Sequence, residues 1–314
     1  MEKRKVFAIG ETVFDIIFKN NKPIDATPGG AMLNTAVSLG RIGLPAFLVG
    51  DYARDAVGKI IDNYLQENNV RTDFVNVYDN ARSRLALAFL NDDNDADYSF
   101  YKIRLNGKAS LKIPSINEND IVLFGSFYGI KTDVREDLMQ FINQAREKQA
   151  LIFYDPNFRV AHLGILNEVM PFIEENIQKC SIVKGSNEDF YNMFNLDNPE
   201  EVYKRISSMG QQNLIYTANK HGVTLITKNI HKHYPVEDIN TKSTVGAGDS
   251  FNAGLIYACI KHDVSVQNLN ELRAESWNDI VAIAIEFASH VCLSTQNCVS
   301  LDFARRMKYE AFKQ

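Results

Sequence analysis

The sequence predicts an α/β fold with a doubly wound, mostly parallel sheet flanked by helices. From Asp120 onward, apolar runs of strand length alternate with amphipathic stretches of helix length. Such alternation is typical of βαβ units, whose parallel strands are covered by helices on both faces. The composition, 45% hydrophobic and 23% charged, is that of a globular protein with a sizeable core. Ligands of such a sheet bind at the carboxyl ends of its strands.

Composition also narrows the classes of function. The 314 residues leave room for one large domain or two smaller ones. A net charge of −5 argues against a nucleic-acid partner, since no basic stripe is present to neutralise phosphates. The four cysteines form no CxxC pair, so reduced core thiols are expected rather than disulfides or a zinc site. No apolar run reaches membrane length and no signal sequence precedes the first strand, so a cytoplasmic protein without a membrane partner is expected.

The first elements carry one unusual acid. Residues 5–10 are predicted to form a buried strand, which residues 11–18 are predicted to continue. Asp15 lies in the second stretch between Phe14 and Ile16, where a charge without a partner is costly. Spacing alone favours an acid on the solvent face of an edge strand.

A diglycine precedes the first helix. Gly29 and Gly30 stand before apolar residues at helical spacing, which predict a helix over 31–39. Asn34 lies within that apolar pattern and has both donors and acceptors for a ligand hydroxyl. By itself, the diglycine is more typical of a plain turn.

The remaining elements follow the same two periodicities. Residues 83–91 and 98–104 are predicted to form strands, which the acidic run 92–97 joins. This run lacks the glycine and the terminal glutamate of an EF-hand loop, so it is expected to be a solvated turn. In chain order, the other predicted strands are 47–51, 121–125, 150–155, 181–184, 213–217 and 223–227, and the other predicted helices are 59–68, 133–148, 166–178 and 279–291.

The stretch 241–255 carries the strongest chemical signal. Gly246, Ala247 and Gly248 form a small-residue turn, and Asp249 follows in the first turn of a predicted buried helix. A helix N-terminus of this kind offers N–H groups and a positive dipole end to an anion. A carboxylate there would repel a phosphate, but it is suited to take a proton from a hydroxyl that attacks the phosphate. The alternative is a tight turn followed by a favourable first-turn charge.

Two stretches resemble signatures of one family. STVGAGDSFNAG at 243–254 is similar to the C-terminal signature of the ribokinase/PfkB family of sugar and nucleoside kinases, and PGGAMLNTAVSLGRIG at 28–43 resembles its N-terminal signature. The resemblance spans essentially the whole chain. It implies a single ribokinase-like α/β domain over 1–314, with a small β-sheet lid inserted at about 11–26 and 83–106.

The resemblance implies roles for these motifs. Asp249 would be the catalytic base, and the Gly246, Ala247 and Gly248 amides would be an anion hole for the transferring phosphoryl group. The implied sugar contacts are Asp15, Gly29, Gly30, Asn34, Phe100, Lys102 and Asp249. Met32 departs from the family pattern, which usually has proline or another small residue there.

Two further motifs resemble fructokinase-like members. DPNFR at 155–159 implies that Arg159 lies near the substrate and the phosphoryl path, the alternative being an Asp-Pro turn with a surface arginine. At 184–189, KGSNED implies that Ser186 and Asp189 position Mg²⁺ through water. The implied nucleotide contacts are Lys184, Thr217, Asn219, Gly222, Gly246, Gly248 and Ser289. Asn219 replaces a usual glycine, which the left-handed geometry open to asparagine allows.

The lid motif also departs from the family. Phe100-Tyr101-Lys102 stands where aromatic-aromatic-arginine is usual, so the charge is kept and the bidentate fork is lost. A lid sheet with an exposed apolar face needs a partner, which predicts a homodimer through the lid.

The expected function is ATP-dependent phosphoryl transfer to a small sugar, with ATP and Mg²⁺ as cofactors and K⁺ as a further candidate. Fructose is favoured, with 2-keto-3-deoxygluconate and ribose as alternatives. A nicotinamide dehydrogenase is disfavoured because GETVFD, not GxGxxG, follows the first strand. A sugar-sensing protein that no longer transfers phosphate is the non-enzyme alternative.

Overall fold

The computed structural model describes residues 4–90, 96–101 and 109–308. Its strands are β1 (Val6–Ile9), β2 (Val13–Lys19), β3 (Lys22–Gly29), β4 (Ala46–Ala53), β5 (Val70–Tyr78), β6 (Leu85–Leu90), β7 (Ala96–Tyr101), β8 (Ile121–Gly125), β9 (Leu151–Asp155), β10 (Ile182–Ser186), β11 (Leu214–Thr217), β12 (Val223–Ile226) and β13 (His231–Tyr234). Its helices are α1 (Ala31–Arg41), α2 (Ala56–Glu67), α3 (Arg135–Glu147), α4 (Leu166–Lys179), α5 (Asn187–Phe194), α6 (Pro199–Ser207), α7 (Ala247–Lys261), α8 (Ala274–Cys292) and α9 (Leu301–Met307).

The main sheet is mostly parallel, as predicted. Its nine described strands run in the order β13-β12-β11-β10-β9-β8-β1-β4-β5. All neighbours pair in parallel except β11 with β12 and β12 with β13, which are antiparallel. The carboxyl ends of β1, β4 and β8 to β11 therefore meet along one edge of the sheet.

Helices cover both faces of this sheet. Side chains alternate along β1, so that Val6 and Ala8 join one buried cluster while Phe7 and Ile9 join the other. The first cluster contains the apolar residues of α1, α7 and α8, and the second contains those of α3 and α4. This is the two-faced burial expected of a doubly wound sheet. Helix α8 begins at Ala274 rather than at 279, because Trp277 already packs in the core.

The prediction that residues 11–18 continue the first strand is wrong. β1 ends at Ile9, and β2 belongs to a separate four-stranded sheet with the order β3-β2-β6-β7. The chain turns between the two sheets because Gly10 packs directly on Met32, where a Cβ atom would lie 2.4 Å from the Met32 side chain. The Thr12 hydroxyl then donates to the Asp51 carbonyl at 2.8 Å, which anchors the crossing.

The small sheet is the predicted lid. β2 pairs antiparallel with β3 and parallel with β6, and β6 pairs antiparallel with β7. The lid extends through β3 to Gly29, so it leads directly into α1. β7 begins at Ala96, inside the run 92–97 that is predicted to be a turn, and residues 92–95 of this run and Lys102 lie outside the described residues. Among the described helices, none combines the length and apolar character needed to cross a membrane.

Candidate active site

The candidate site lies where the lid meets the carboxyl edge of the main sheet. Gly29 ends β3, and Gly30 caps α1 in a backbone conformation with φ +119° that favours glycine. A Cβ atom on Gly30 would lie 2.5 Å from the Glu11 carbonyl oxygen. The diglycine is therefore a close crossing of two chain segments, which brings the lid and the start of α1 together.

Asp249 lies in the first turn of α7, as predicted. The Asn34 side-chain amide donates to Asp249 Oδ2 at 2.8 Å, and the Thr35 hydroxyl contacts the Asp249 carbonyl oxygen at 2.9 Å. Burial raises the pKa of Asp249 to about 6, and the nearby Asp155 also raises it, whereas the hydrogen bond from Asn34 lowers it. The Asp249 carboxylate is thus oriented by α1 and is largely ionised at neutral pH.

The turn before Asp249 has the geometry of an anion site. Gly246 has φ +79°, and a Cβ atom there would lie 2.2 Å from the Asn297 carbonyl oxygen, so only glycine fits. The N–H groups of Gly248 and Asp249 are among those at a helix start that have no carbonyl partner within the helix. The Ala247 amide donates to the Thr244 carbonyl at 3.2 Å, so its expected part in the anion hole requires that contact to open.

A buried charged triad lies beside this turn. Lys184 Nζ and the Asn252 side-chain amide both donate to Asp155 Oδ2, at 2.9 and 2.6 Å. The Lys184 ammonium also faces Gly248, where a Cβ atom would lie 3.3 Å from Nζ. Asp155 Oδ1 is buried without a hydrogen-bond partner among the described residues. The triad therefore fixes a cation beside the start of α7 and leaves one carboxylate oxygen available.

Asp15 lies on β2 against the diglycine. A Cβ atom on Gly29 would lie 2.1 Å from Asp15 Oδ2, so the absence of a side chain at Gly29 makes room for this carboxylate. Burial raises the pKa of Asp15 to about 6. Met32 is buried in the core against Gly10, so this departure from the family pattern fills space behind the site.

Two predicted contacts are exposed. The Arg159 side chain lies close enough to Asp249 to lower its pKa, although Arg159 itself is exposed. Phe100 is 56% exposed on β7. Lys102, the third predicted contact of this group, lies outside the described residues.

The predicted metal pair forms a helix cap. Ser186 N and Oγ both donate to Asp189 Oδ2 at 2.7 Å, and the Asp189 amide contacts Ser186 Oγ at 3.1 Å, which is a capping box at the start of α5. Burial, and then the neighbouring Asp155, raise the pKa of Asp189, while Lys184 lowers it. The described residues contain no cluster of three or more side chains able to hold a metal. Two buried carboxylates beside one ammonium still fit a Mg²⁺ ion held mainly by water and phosphate.

The predicted nucleotide loop joins β11 to β12. Asn219 has φ +47°, which confirms that asparagine takes the left-handed geometry there. Gly222 has φ +88°, and its amide donates to the Asn219 carbonyl at 3.1 Å. Thr217 ends β11, and its hydroxyl contacts the Gly185 carbonyl at 3.4 Å. His221 in this loop is exposed.

Ser289 lies on α8, which packs closely on α7. A Cβ atom on Gly254 would lie 2.8 Å from Ala284 Cα, so these helices touch through backbone. The Lys242 amide donates to the Cys292 carbonyl at 2.8 Å, which ties the segment before the anion turn to the end of α8. The roles predicted for all of these residues remain predictions; the structure gives their positions.

Sequence reasoning missed three members of the site. Asn252 lies three residues after Asp249 on the same helical face, and this spacing was a signal that could have found it. Asp155 begins the DPNFR motif that ends at Arg159, but the motif does not predict the ion pair of Asp155 with Lys184. Thr35 follows Asn34 directly, and no sequence signal predicts its contact with the Asp249 backbone.

Relatives with known names share this architecture. Curated relatives include a "Probable fructokinase-3" from Arabidopsis thaliana, 26% identical over 286 residues that cover 87% of this chain and 82% of the relative. A "Fructokinase-1" from Zea mays is 27% identical over 250 residues, which cover 78% of this chain and 77% of the relative.

Solved structures are similar to this fold along almost the whole chain. A fructokinase from Vibrio cholerae O395, bound to fructose, ADP and calcium, has a TM-score of 0.82 at 19% identity and covers 98% of this chain and 99% of that one. The aminoimidazole riboside kinase from Salmonella enterica, complexed with aminoimidazole riboside and an ATP analog, has a TM-score of 0.79 at 20% identity and covers 98% of this chain and 100% of that one. These similarities confirm the ribokinase-like fold.

The model of one family covers nearly every element described above. Residues 3–303 match the pfkB family carbohydrate kinase model. The matched range includes the diglycine, the buried triad and the small-residue turn before Asp249. The chain belongs to the pfkB family of carbohydrate kinases.

Proposed function

We propose that this sugar kinase is a fructokinase, which transfers the γ-phosphoryl group of ATP to a hydroxyl of fructose. The observation that carries the proposal is the Asp249 carboxylate, which Asn34 holds at the N-terminus of α7 beside the Lys184 ammonium. This arrangement combines a base for a hydroxyl with a positive site for a phosphoryl group.

Asp249 acts as the general base. With a pKa of about 6 it is ionised at neutral pH, yet it is basic enough to accept a proton as the hydroxyl attacks. The hydrogen bond from Asn34 leaves Asp249 Oδ1 as the oxygen that faces the substrate. Arg159 contributes positive charge on the exposed side of the same site.

The transferring phosphoryl group lies at the start of α7. The first-turn N–H groups and the helix dipole stabilise its developing negative charge, and the Lys184 ammonium adds a full positive charge that Asp155 and Asn252 hold in place. Ser186 and Asp189 would hold Mg²⁺ through water, and that ion neutralises phosphate charge when it is bound. K⁺ is a further candidate cofactor.

The sugar lies between the lid and α1. Asp15 and Asn34 supply a carboxylate and an amide for sugar hydroxyls, and the absence of a side chain at Gly29 makes room for the Asp15 carboxylate. Relatives named fructokinase favour fructose. The alternatives, 2-keto-3-deoxygluconate and ribose, present hydroxyls to the same groups.

The exposed apolar residues of the lid support a homodimer through this sheet. Ile24 on β3 is 57% exposed and Phe100 on β7 is 56% exposed. Exposed apolar side chains on a small sheet favour association with a second copy. A concentration series in analytical ultracentrifugation tests this, with Ile24→Lys expected to shift the equilibrium towards monomer.

The test of function is a coupled ADP-release assay with Mg-ATP. The panel contains fructose, ribose, 2-keto-3-deoxygluconate, tagatose and adenosine, and saturable turnover is expected with fructose. Turnover that is saturable only with another sugar would overturn the choice of fructose and retain the kinase. Silence on every member, with sugar still bound in calorimetry, would favour a sugar sensor instead.

A further inference from the structure

A cavity of about 580 Å³ opens at the carboxyl ends of β1, β4 and β5. The residues predicted to bind sugar, nucleotide or metal are not among its described lining residues, although Glu11, whose carbonyl lies beside Gly30, is. Its walls include Asp51 at the end of β4, Arg84 just before lid strand β6, and the aromatic rings of Phe127 and Phe172. Polar and apolar side chains line it in similar numbers, and cavities of this size with converging polar groups are typical of small-molecule sites.

The buried acid of this cavity is already neutralised. The Arg84 guanidinium makes a bidentate ion pair with Asp51, with its second nitrogen 3.1 Å from Asp51 Oδ2. The Tyr128 hydroxyl donates to the same oxygen at 3.1 Å. Glu11 lies 3.5 Å from Arg84 Nε and balances the guanidinium further. Both oxygens of Asp51 are therefore occupied, and this carboxylate does not attract a cation.

Lys131 is a cation of this cavity that lacks a hydrogen-bond acceptor among the described residues. It is half-buried, lines the cavity, and holds its ammonium 5.6 Å from the centre of the Tyr128 ring. Within residues 4–90, 96–101 and 109–308, no carboxylate or carbonyl oxygen accepts a hydrogen bond from this ammonium. Burial, and then the nearby Arg84 cation, lower the pKa of Lys131, whereas the carboxylates of Asp51, Glu11 and Asp133 raise it. A half-buried ammonium without an acceptor favours a ligand that supplies one.

The other acids of the cavity lie at its mouth. Asp133 and Glu168 are exposed to solvent, where water screens their charge. The interior thus presents hydrogen-bond donors from Lys131, while the apolar walls accommodate a carbon skeleton. The donors of Lys131 favour an acceptor-rich head group, and the apolar part of the lining favours a small organic body.

We propose that this cavity binds a small organic anion whose carboxylate or phosphate group accepts hydrogen bonds from Lys131 and whose body packs against Phe127 and Phe172. The site is separate from the phosphoryl-transfer site, so the proposal does not depend on which sugar is phosphorylated. Because Arg84 directly precedes β6, the bound anion lies at the base of the lid.

Isothermal titration calorimetry on the full chain tests the proposal. The probes are gluconate for the carboxylate, glucose 6-phosphate and inorganic phosphate for the phosphate, and glucose as the neutral control. We expect at least one anionic organic probe to bind with one-to-one stoichiometry, while glucose does not reproduce that binding. The probe that binds identifies which of the two head groups is recognised.

Variants assign that binding to the cavity. Lys131→Met is expected to weaken it about tenfold or more, because a hydrogen bond to a charged group is lost. Lys131→Arg is expected to retain it, and Lys59→Met is the control that removes an exposed lysine outside the cavity lining. Asp15→Asn is expected to leave it unchanged, which separates the cavity from the sugar site.

The outcomes decide the proposal. Binding that survives in Lys131→Met, or binding that is lost in Asp15→Asn, would place the anion elsewhere and overturn the proposal. Absence of binding for every anionic probe would overturn it as well. Circular dichroism checks that Lys131→Met is folded, and Lys131→Gln replaces it if that variant is not.

Discussion

The hydrogen bond from Asn34 to Asp249 is expected to set the position of the acid limb in the pH dependence of catalysis. The amide donates to the ionised carboxylate and therefore lowers the pKa of Asp249, which burial raises to about 6. Asn34→Ala removes the donor, so the pKa of Asp249 must rise. The acid limb of the rate profile is then expected to move towards alkaline pH.

The size of this shift follows from the contact. A hydrogen bond to a charged group contributes about 1.5–3 kcal/mol. One pKa unit corresponds to about 1.36 kcal/mol, so the full loss would raise the pKa by about one to two units. Water that enters the space left by Asn34 partly replaces the donor, and we expect a shift of about one unit, from about 6 to about 7.

The assay measures kcat/KM for the sugar against pH at saturating Mg-ATP, because this ratio reports the pKa values of the enzyme form that binds the sugar, here with Mg-ATP bound. Thr35→Val is the matched control, since Thr35 contacts the carbonyl oxygen of Asp249 rather than its carboxylate. Asp15 also has a pKa raised to about 6, so the limb must persist in Asp15→Asn to be assigned to Asp249. An acid limb that stays in place in Asn34→Ala would show that the hydrogen bond from Asn34 does not lower the pKa of Asp249.

Three further predictions follow from single positions. Gly29→Ala would place a Cβ atom 2.1 Å from Asp15 Oδ2, so the Asp15 carboxylate must move away. In steady-state kinetics we expect a higher KM for sugar and an unchanged KM for ATP. An equal rise in both KM values would contradict the assignment of Asp15 to the sugar site. In Gly246→Ala, the alanine must adopt φ +79° and its Cβ atom meets the backbone of Asn297, so calorimetry should show weakened ATP binding. An ATP affinity equal to that of the wild type would contradict the role of this turn in binding phosphate. Folding raises the pKa of the Asp249 carboxyl from about 3.9 to about 6, so the stability from protonation is present below about pH 4 and lost as the pH rises through 6. In urea unfolding, the free energy of unfolding of Asp249→Asn should therefore exceed that of the wild type by roughly 1–3 kcal/mol near pH 8, and by less near pH 4. A difference that does not change with pH would disprove the burial of the Asp249 charge.

The sequence predicted the fold through local patterns. Alternating strand and helix periods indicated the parallel sheet, and the small-residue turn indicated that Asp249 begins α7. Asn219 was expected to tolerate left-handed geometry and does so. Each of these signals lies within one element or one turn, where propensity and backbone sterics act directly.

Contacts between distant segments were not predictable in this way. β2 has the same apolar pattern in either sheet, so the periodicity of residues 11–18 does not say that the chain crosses to the lid. The Asp51–Arg84 ion pair joins the main sheet to the base of the lid, and neither residue carries a signal that names the other. The hydrogen bond from Asn34 to Asp249 spans 215 positions, and neither of the two motifs predicts it.

The rate of phosphoryl transfer by Asp249→Asn shows whether Asp249 is the base. Asparagine keeps the shape of the side chain but cannot accept the proton, and general-base catalysis contributes about 10²–10⁴-fold to rate. Single-turnover measurement with saturating sugar and Mg-ATP, together with calorimetry of both ligands, should show that rate loss while both ligands still bind. A turnover rate close to that of the wild type would contradict the assignment of Asp249 as the base.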